Sequence, residues 1–250
     1  ASASASDRIL TKYIDINVLS DLGTAEFEYY QKLFTGRQMT NVEEFDIRQS
    51  NSEHSRHWFF NGQYYIDGTL YPVSLMNLVK KTNNSGFTSL VAFSDNSSCI
   101  RGYQANCLIP YESLIVREQS HIHPTHTAET HNFPTSISPF SGANTGVGGR
   151  IRDTIALGKG SNIISGYCGY CVGALDPEEG VDYPYCLPMD LLIKASDGAS
   201  DYGNKIGEPI TMGFMRGFGT RIRGKRLEYI KPIMYCGGIG SVLEENLYKT

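Results

Sequence analysis

Residues 128–153 read AETHNFPTSISPFSGANTGVGGRIRD, so an acid and a histidine two positions apart lead into a glycine-rich run that closes on Arg-Asp. Few purely structural segments look like this. Gly142, Gly146, Gly148 and Gly149 let backbone N–H groups approach an anion closely, and a helix starting near them would add the positive end of its dipole. The expectation is a phosphate cradle formed by Gly142, Ala143, Asn144, Thr145, Gly146, Val147, Gly148, Gly149, Arg150, Ile151, Arg152 and Asp153. It is not a P-loop, because no Lys-Ser/Thr follows the glycines, and its spacing does not fit the dinucleotide fingerprint. Glu129 and Asp153 bracket the run with hard oxygen ligands, which suit Mg²⁺ held jointly by carboxylates and nucleotide phosphates. The plainer alternative is a flexible loop with ordinary surface acids.

A chain of 250 residues can form one large domain, or one domain with a small appendage. Its net charge of −4 offers no general attraction to nucleic acid or to an anionic membrane. No apolar run approaches the roughly 20 residues of a membrane helix, and the start lacks the basic-then-apolar order of a signal peptide. The expectation is a soluble chain with neither nucleic acid nor membrane as partner. Six scattered cysteines make no dense disulfide framework and suit a reducing cytosol. Cys168 and Cys171 form a C-x-x-C without a second pair at zinc-finger spacing, inside the strand-like IISGYCGYCVG, and are read as structural. The low-complexity ASASAS at residues 1–6 is read as a tag or scar.

Residues 24–34 are helical by pattern, with Glu26 and Glu28 in the first turn, Phe27, Tyr30 and Phe34 along one face, and Gly36 as a stop. Thr40 and Glu43 have capping-box spacing for a second helix, whose apolar face starts at Val42 and Phe45 and carries on toward Trp58. A turn over residues 83–86 precedes the strand-like TSLVAF, and Asp95 and Asn96 after it are read as turn-formers. Residues 114–116 and 121–129 look extended, with Pro124 arguing against a central strand. Further strands are expected at 162–172, 209–218 and 229–235, with a helix at 189–195 before a glycine-rich loop ending at Pro209. Strands and helices interleave without a regular βαβ rhythm, which gives an α/β (α+β) class.

Four of the six histidines, His121, His123, His126 and His131, fall within eleven residues. His-x-His on a strand aims two imidazoles at one side, and Glu129 would share the face of His123. A non-haem metal enzyme using His121, His123 and Glu129 is therefore one functional reading.

Three strings, QSNSEHSRHWFF at 49–60, the 128–153 segment and ASDGASDYGNKIGEP at 195–209, resemble phosphoribosylformylglycinamidine synthases, the amidotransferases of purine synthesis. The wording is closest to the large, eukaryotic-type form, and the resemblance runs from about Leu19 onward. It implies a cytoplasmic ligase that uses ATP and Mg²⁺ to convert formylglycinamide ribonucleotide to its amidine. The route is an iminophosphate displaced by ammonia, which a glutaminase domain outside this chain releases from glutamine.

For the fold, the resemblance implies the N-terminal half of an aminoimidazole ribonucleotide synthetase-like unit, a small mixed sheet of four strands backed by helices. That domain would take residues 61–250 and be incomplete, preceded by a helical linker at 7–60. The partners implied are the substrate ribonucleotide, the remaining synthetase half and the glutaminase, without which the chain is expected to be inactive. Matched residue by residue, Glu129 and Asp153 resemble Mg²⁺ ligands, His131 the proton acceptor and His54 a second active-site histidine. Thr130, His131, Asn132, Phe133 and Arg152 match substrate-binding positions. His57 and Thr127 stand at nucleotide-contact positions where the small form has tyrosine and lysine. A catalytically silent homologue serving as a binding or structural subunit is the remaining alternative, and intact His54, Glu129, His131, Arg152 and Asp153 argue against it.

Overall fold

The computed structural model describes residues 11–51, 58–83, 88–111 and 114–249, with backbone alone at Trp58, 109–111 and 114–118. The chain divides into two units, Ala1–Thr82 and Asn83–Thr250. His54 and His57, most of the SEHSRHW string and the expected turn at 84–86 lie outside the described residues.

In the first unit β1 (Tyr13–Ile14) pairs antiparallel with β2 (Met39–Thr40), and α1 (Thr24–Leu33) lies between them in sequence. Gly36, at φ 88°, stands just beyond α1, where a stop was expected. α2 (Asn41–Ser50) opens with the capping box: the Thr40 hydroxyl accepts from the Glu43 N–H at 3.1 Å, and Glu43 Oε2 accepts from the Thr40 N–H at 2.9 Å. Leu19, Phe34 and Met39 form the core of this unit. α3 (Trp58–Asn61) is followed by the hairpin of β3 (Tyr64–Ile66) and β4 (Thr69–Tyr71), then by α4 (Leu75–Lys81). Asp67 and Gly68 at the hairpin's tip both have positive φ, the conformation of a two-residue type I′ turn.

The second unit is a mixed sheet with helices on one face. Its elements are β5 (Ser89–Val91), β6 (Ser98–Ile100), β7 (Tyr103–Tyr111), β8 (Leu114–Thr130), α5 (Asn132–Ile137), α6 (Pro139–Ile155), β9 (Asn162–Val172), α7 (Pro188–Ile206), β10 (Ile210–Gly217), β11 (Gly219–Ile222), β12 (Lys225–Glu228) and β13 (Ile233–Leu243). Strand order is β10-β9-β13-β8-β6-β5, with β7 also on β8, so the sheet has seven strands rather than four. The β10–β9 pair is parallel and the others are antiparallel. Pro124 sits inside the central strand β8 after all. On the edge facing β6 and β7, pairing with β7 ends at Ile122 and pairing with β6 starts at Thr125, so the missing N–H falls in a gap of the ladder.

Two expected loops are helices. The glycine run lies within α6, and α7 continues through most of the expected 199–209 loop to a left-handed cap at Gly207. Each helical glycine costs about 1 kcal/mol against alanine, so packing must supply the compensation. A Cβ on Gly142 would come within 2.5 Å of the Pro134 carbonyl, and one on Gly148 within 2.6 Å of the Tyr202 ring. Close approach of α6 to α5 and α7 thus requires glycine at those two positions. The interface buries Ala143, Val147, Ile151, Leu191, Ala195 and Ala199 against Cys168, Tyr170, Val172, Met234 and Cys236 of the sheet. Cys168 is part of that core, and burial pushes its thiol up to about 11. Cys171, three residues on, has the opposite strand parity.

Arg150 of α6 is fully buried and pairs bidentately with buried Glu208, Nη1 to Oε1 at 2.7 Å and Nη2 to Oε2. Removing the carboxylate alone would strand a charge in the core. Glu208→Ala should cost about 3–5 kcal/mol, read from urea unfolding, whereas the paired Arg150→Met, Glu208→Leu replacement should cost far less. Equal losses would show that the pairing is not what the core requires.

Candidate functional site

β8 runs into α5 through Glu129, Thr130 and His131, and this junction carries residues 129–133 of the expected site. Glu129 lies opposite Cys236 in the β8–β13 register, and the Cys236 thiol reaches the Gly146 carbonyl of α6 at 3.3 Å. Paired residues share a face, so Glu129 points to the helix side. It lines an open cleft of about 330 Å³ together with Asp95, Asn96, Ser98, His126 and Thr127. Asn96 crosses from this cleft to α6, where its Nδ2 donates to Asp153 Oδ1 at 3.3 Å. Arg152 Nε donates to the same oxygen at 3.1 Å, and the pairing with Asp153 raises the Arg152 pKa, with a smaller contribution from Glu129.

Glu129 lines the cleft and Asp153 is hydrogen-bonded to Asn96 of its wall, and carboxylates are the donor type a hard cation takes. Mg²⁺ commonly takes only one or two protein carboxylates and completes its shell with phosphate oxygens and water. Among the described residues no group of three or more His, Cys, Asp or Glu could hold a metal by itself.

His131 precedes α5, its N–H donating to the Met234 carbonyl at 2.8 Å. Its Nδ1 is buried without a hydrogen-bond partner among the described residues, and its Cβ, Cγ and Nδ1 lie against Gly146, where a Cβ would come within 2.8 Å of the His131 Cβ. Asn132 Oδ1 accepts from the Met234 N–H at 3.1 Å, and exposed Phe133 meets Tyr185 edge-on at 5.9 Å. Thr130 and the side chain of Arg152 are exposed. Thr127 is buried at the cleft wall.

The structure corrects other expectations. Gly142, Ala143, Asn144, Thr145, Gly146, Val147, Gly148, Gly149 and Ile151 are interior to α6, where N–H groups serve carbonyls four residues back rather than converging on an anion. Ala143, Val147 and Ile151 are core, and Asn144 binds across to Asp201 of α7 at 2.9 Å. Arg150 is spent on Glu208 and has no exposure through which to meet a ligand.

The histidine cluster also comes apart. His123 is buried, its Nδ1 accepting from the Gly102 N–H at 3.0 Å and its Nε2 facing Glu244 Oε2 at 2.5 Å. His121 stacks on it at 6.2 Å. Glu129 does share the strand parity of His123, but it lies six residues along, about 20 Å at 3.3 Å per residue. A shared metal site is out of reach, and the non-haem reading falls.

Asp95 and Asn96, turn-formers by their sequence context, line the cleft instead. Asp95 collects the Asn96 N–H at 2.7 Å, the Gly158 N–H at 3.2 Å and the Lys249 ammonium at 2.5 Å. Burial pushes its carboxyl up, but these donors outweigh burial and hold it below the ordinary 3.8. The sequence signal for them is an Asp-Asn pair directly after an apolar strand.

No family model matches the chain. Phosphoribosylformylglycinamidine synthase of Dictyostelium discoideum is 50% identical over 232 residues, which is 85% of this chain and 17% of that protein. The Homo sapiens enzyme of the same name is 43% identical over 246 residues, 91% of this chain and 18% of that protein. A probable phosphoribosylformylglycinamidine synthase of Caenorhabditis elegans is 44% identical over 258 residues, 94% and 20%. The chain thus spans 17–20% of the length of these curated relatives. Among solved structures, T. maritima PurL complexed with ATP aligns with 88% of this chain and 27% of its own at 20% identity, with a TM-score of 0.46.

Because the native pKa of Asp95 is lowered, its stabilisation is complete above the ordinary value of 3.8 and is lost as pH falls through the lower native value. Asp95→Asn should therefore be less stable than the natural chain near neutral pH, with the gap closing in acid. Urea midpoints followed from neutral pH downward check this, and a gap independent of pH would contradict it.

Proposed function

The chain belongs to the phosphoribosylformylglycinamidine synthase family, and on that premise we propose that its second unit carries metal-binding and substrate-binding residues of an ATP-dependent amidation. The reaction is the conversion of formylglycinamide ribonucleotide to its amidine in purine synthesis. One observation carries the reading: the cleft at the end of β8 presents Glu129, connects through Asn96 to Asp153, and adjoins a histidine whose buried Nδ1 has no partner among the described residues.

The chemical difficulty is an unreactive amide. Mg²⁺ and ATP, when bound, supply an activated phosphoryl group and neutralise its charge. Transfer to the amide oxygen forms an O–P bond and releases ADP, after which ammonia adds to carbon and phosphate departs with the former amide oxygen. In this scheme Glu129 and Asp153 hold the cation. His131 takes the proton that the added nitrogen must lose. Thr130, Asn132 and Phe133 line the substrate beside it, with Asn132 kept in place by the Met234 N–H. Arg152 offers an exposed, always-charged guanidinium to the ribonucleotide phosphate. By the resemblance, His54 serves as a second active-site histidine and His57 and Thr127 as nucleotide contacts; of these, Thr127 stands on the cleft wall.

The aligned segment is only 17–20% of the relatives' length, which supports the remaining synthetase half and a glutaminase as partners supplying ammonia. No helix among the described residues is long and apolar enough to cross a membrane. Six free thiols support a cytoplasmic setting.

In an enzyme of full family length carrying this segment, Glu129→Gln or Asp153→Asn should abolish turnover while circular dichroism stays unchanged. His131→Ala should lower kcat by about 10²–10⁴-fold. Near-normal turnover in either carboxylate variant would overturn the metal assignment.

A further inference from the structure

Lys249 lies beyond a 3-10 turn (Glu244–Asn246), far in sequence from every residue assigned to the site. Its ammonium nevertheless touches two residues of the cleft wall, Asp95 Oδ1 at 2.5 Å and Asn96 Oδ1 at 3.0 Å. The second contact has a chemical consequence. An ammonium can only donate, so the Asn96 atom facing it must be the carbonyl oxygen. A carboxylate can only accept, so the Asn96 atom facing Asp153 must be the amide nitrogen, here 3.3 Å from Oδ1. The two neighbours therefore select one orientation of the amide, and each would lose a hydrogen bond if it turned over.

Asp153 receives both of its side-chain hydrogen bonds, from Asn96 Nδ2 and Arg152 Nε, on Oδ1. Among the described residues no donor reaches Oδ2. One oxygen is held and the other is left for a ligand. The support under Asn96 is itself firm: its neighbour Asp95 is fastened by the Gly158 N–H, and Gly158, at φ 57°, lies so close to the 246–247 backbone that a Cβ would come within 2.0 Å of the Asn246 carbonyl oxygen. The segment that carries Lys249 and the turn that carries Asn96 are thus pinned to the same short loop after α6.

We infer that Lys249 is a positioning residue for the metal site: it sets the amide orientation of Asn96, and Asn96 in turn holds Asp153 with Oδ2 turned to the incoming cation. This rests on the reading of Asp153 as a metal ligand. Lys249 touches neither cation nor substrate. Partners that orient a ligating carboxylate commonly change metal affinity by about 10–100-fold when removed.

The test is binding rather than turnover. Mn²⁺ is titrated into the 250-residue chain with a non-hydrolysable ATP analogue, and free Mn²⁺ is read by electron paramagnetic resonance for the natural chain, Asp153→Asn, Lys249→Met, Asn96→Leu and the Lys249→Met, Asn96→Leu double variant. Thermal midpoints verify that each is folded. Lys249→Met is expected to weaken Mn²⁺ binding by about tenfold, and the double variant to bind no more weakly than Asn96→Leu alone, because the two residues act in series. If Asp153→Asn weakens binding while Lys249→Met binds like the natural chain, the inference falls and the site assignment stands. Additive losses in the double variant, or tighter binding by Lys249→Met as expected of a competing cation, also overturn it. If Asp153→Asn binds like the natural chain, the site assignment falls and takes this inference with it.

Discussion

Arg150 places a permanent positive charge in the interior of the second unit, where no water can solvate it, and the surrounding structure answers that charge in several places at once. Glu208 meets it with a bidentate carboxylate, arriving directly after Gly207 turns the chain out of α7. Gly166 and Gly238 face each other across β9 and β13, and together they leave room for the guanidinium: a Cβ on Gly238 would come within 2.1 Å of Nη1 and one on Gly166 within 2.9 Å of Nη2. Removing one partner of such a pair costs more than the pair contributes, because the remaining charge stays buried.

That pairing has a consequence for the site. α6 is held against the sheet at Arg150, and within the next turn Asp153 meets Asn96 of the cleft wall while Arg152 feels the field of Glu129. The glycines of the 142–149 run serve the same end. Their N–H groups lie inside a helix, and their lack of side chains lets α6 lie close to α5, α7 and His131. Composition typical of a ligand loop has here been used for packing.

The opposite face of the sheet shows how glycine and aromatic rings complement one another. Tyr167 lies across Gly237 to bond His126 at 2.5 Å, and Phe214 lies across Gly169 beside Tyr235. Burial, more than the field of Arg150, lowers the His126 pKa, and burial chiefly pushes Tyr167 up to about 12, so the histidine stays neutral and the phenol protonated near neutral pH. His126 lines the cleft as well, so this row of rings borders the region that holds Glu129.

What the sequence by itself determined was local chemistry and local periodicity. The Thr40–Glu43 capping box, the helix from Thr24, the strand at 162–172 and the acid-histidine spacing of Glu129 and His131 depend on neighbours within a few residues, and each is legible in the order of the amino acids alone. The mixed α/β class followed from the same patterns, as did the family from three separated strings. Tertiary structure alone decided whether the glycine run would be loop or helix, because glycine's intrinsic cost in a helix is outweighed only by contacts with Pro134, Tyr202 and the sheet, all outside the run. It also decided that Arg150 belongs to the core, that His123 is buried against Glu244, and that Asp95 and Asn96 wall a cleft. In each case the deciding partner, Glu208, Glu244 or Lys249, lies more than fifty residues away, and no pattern of period two or 3.6 carries information across that distance.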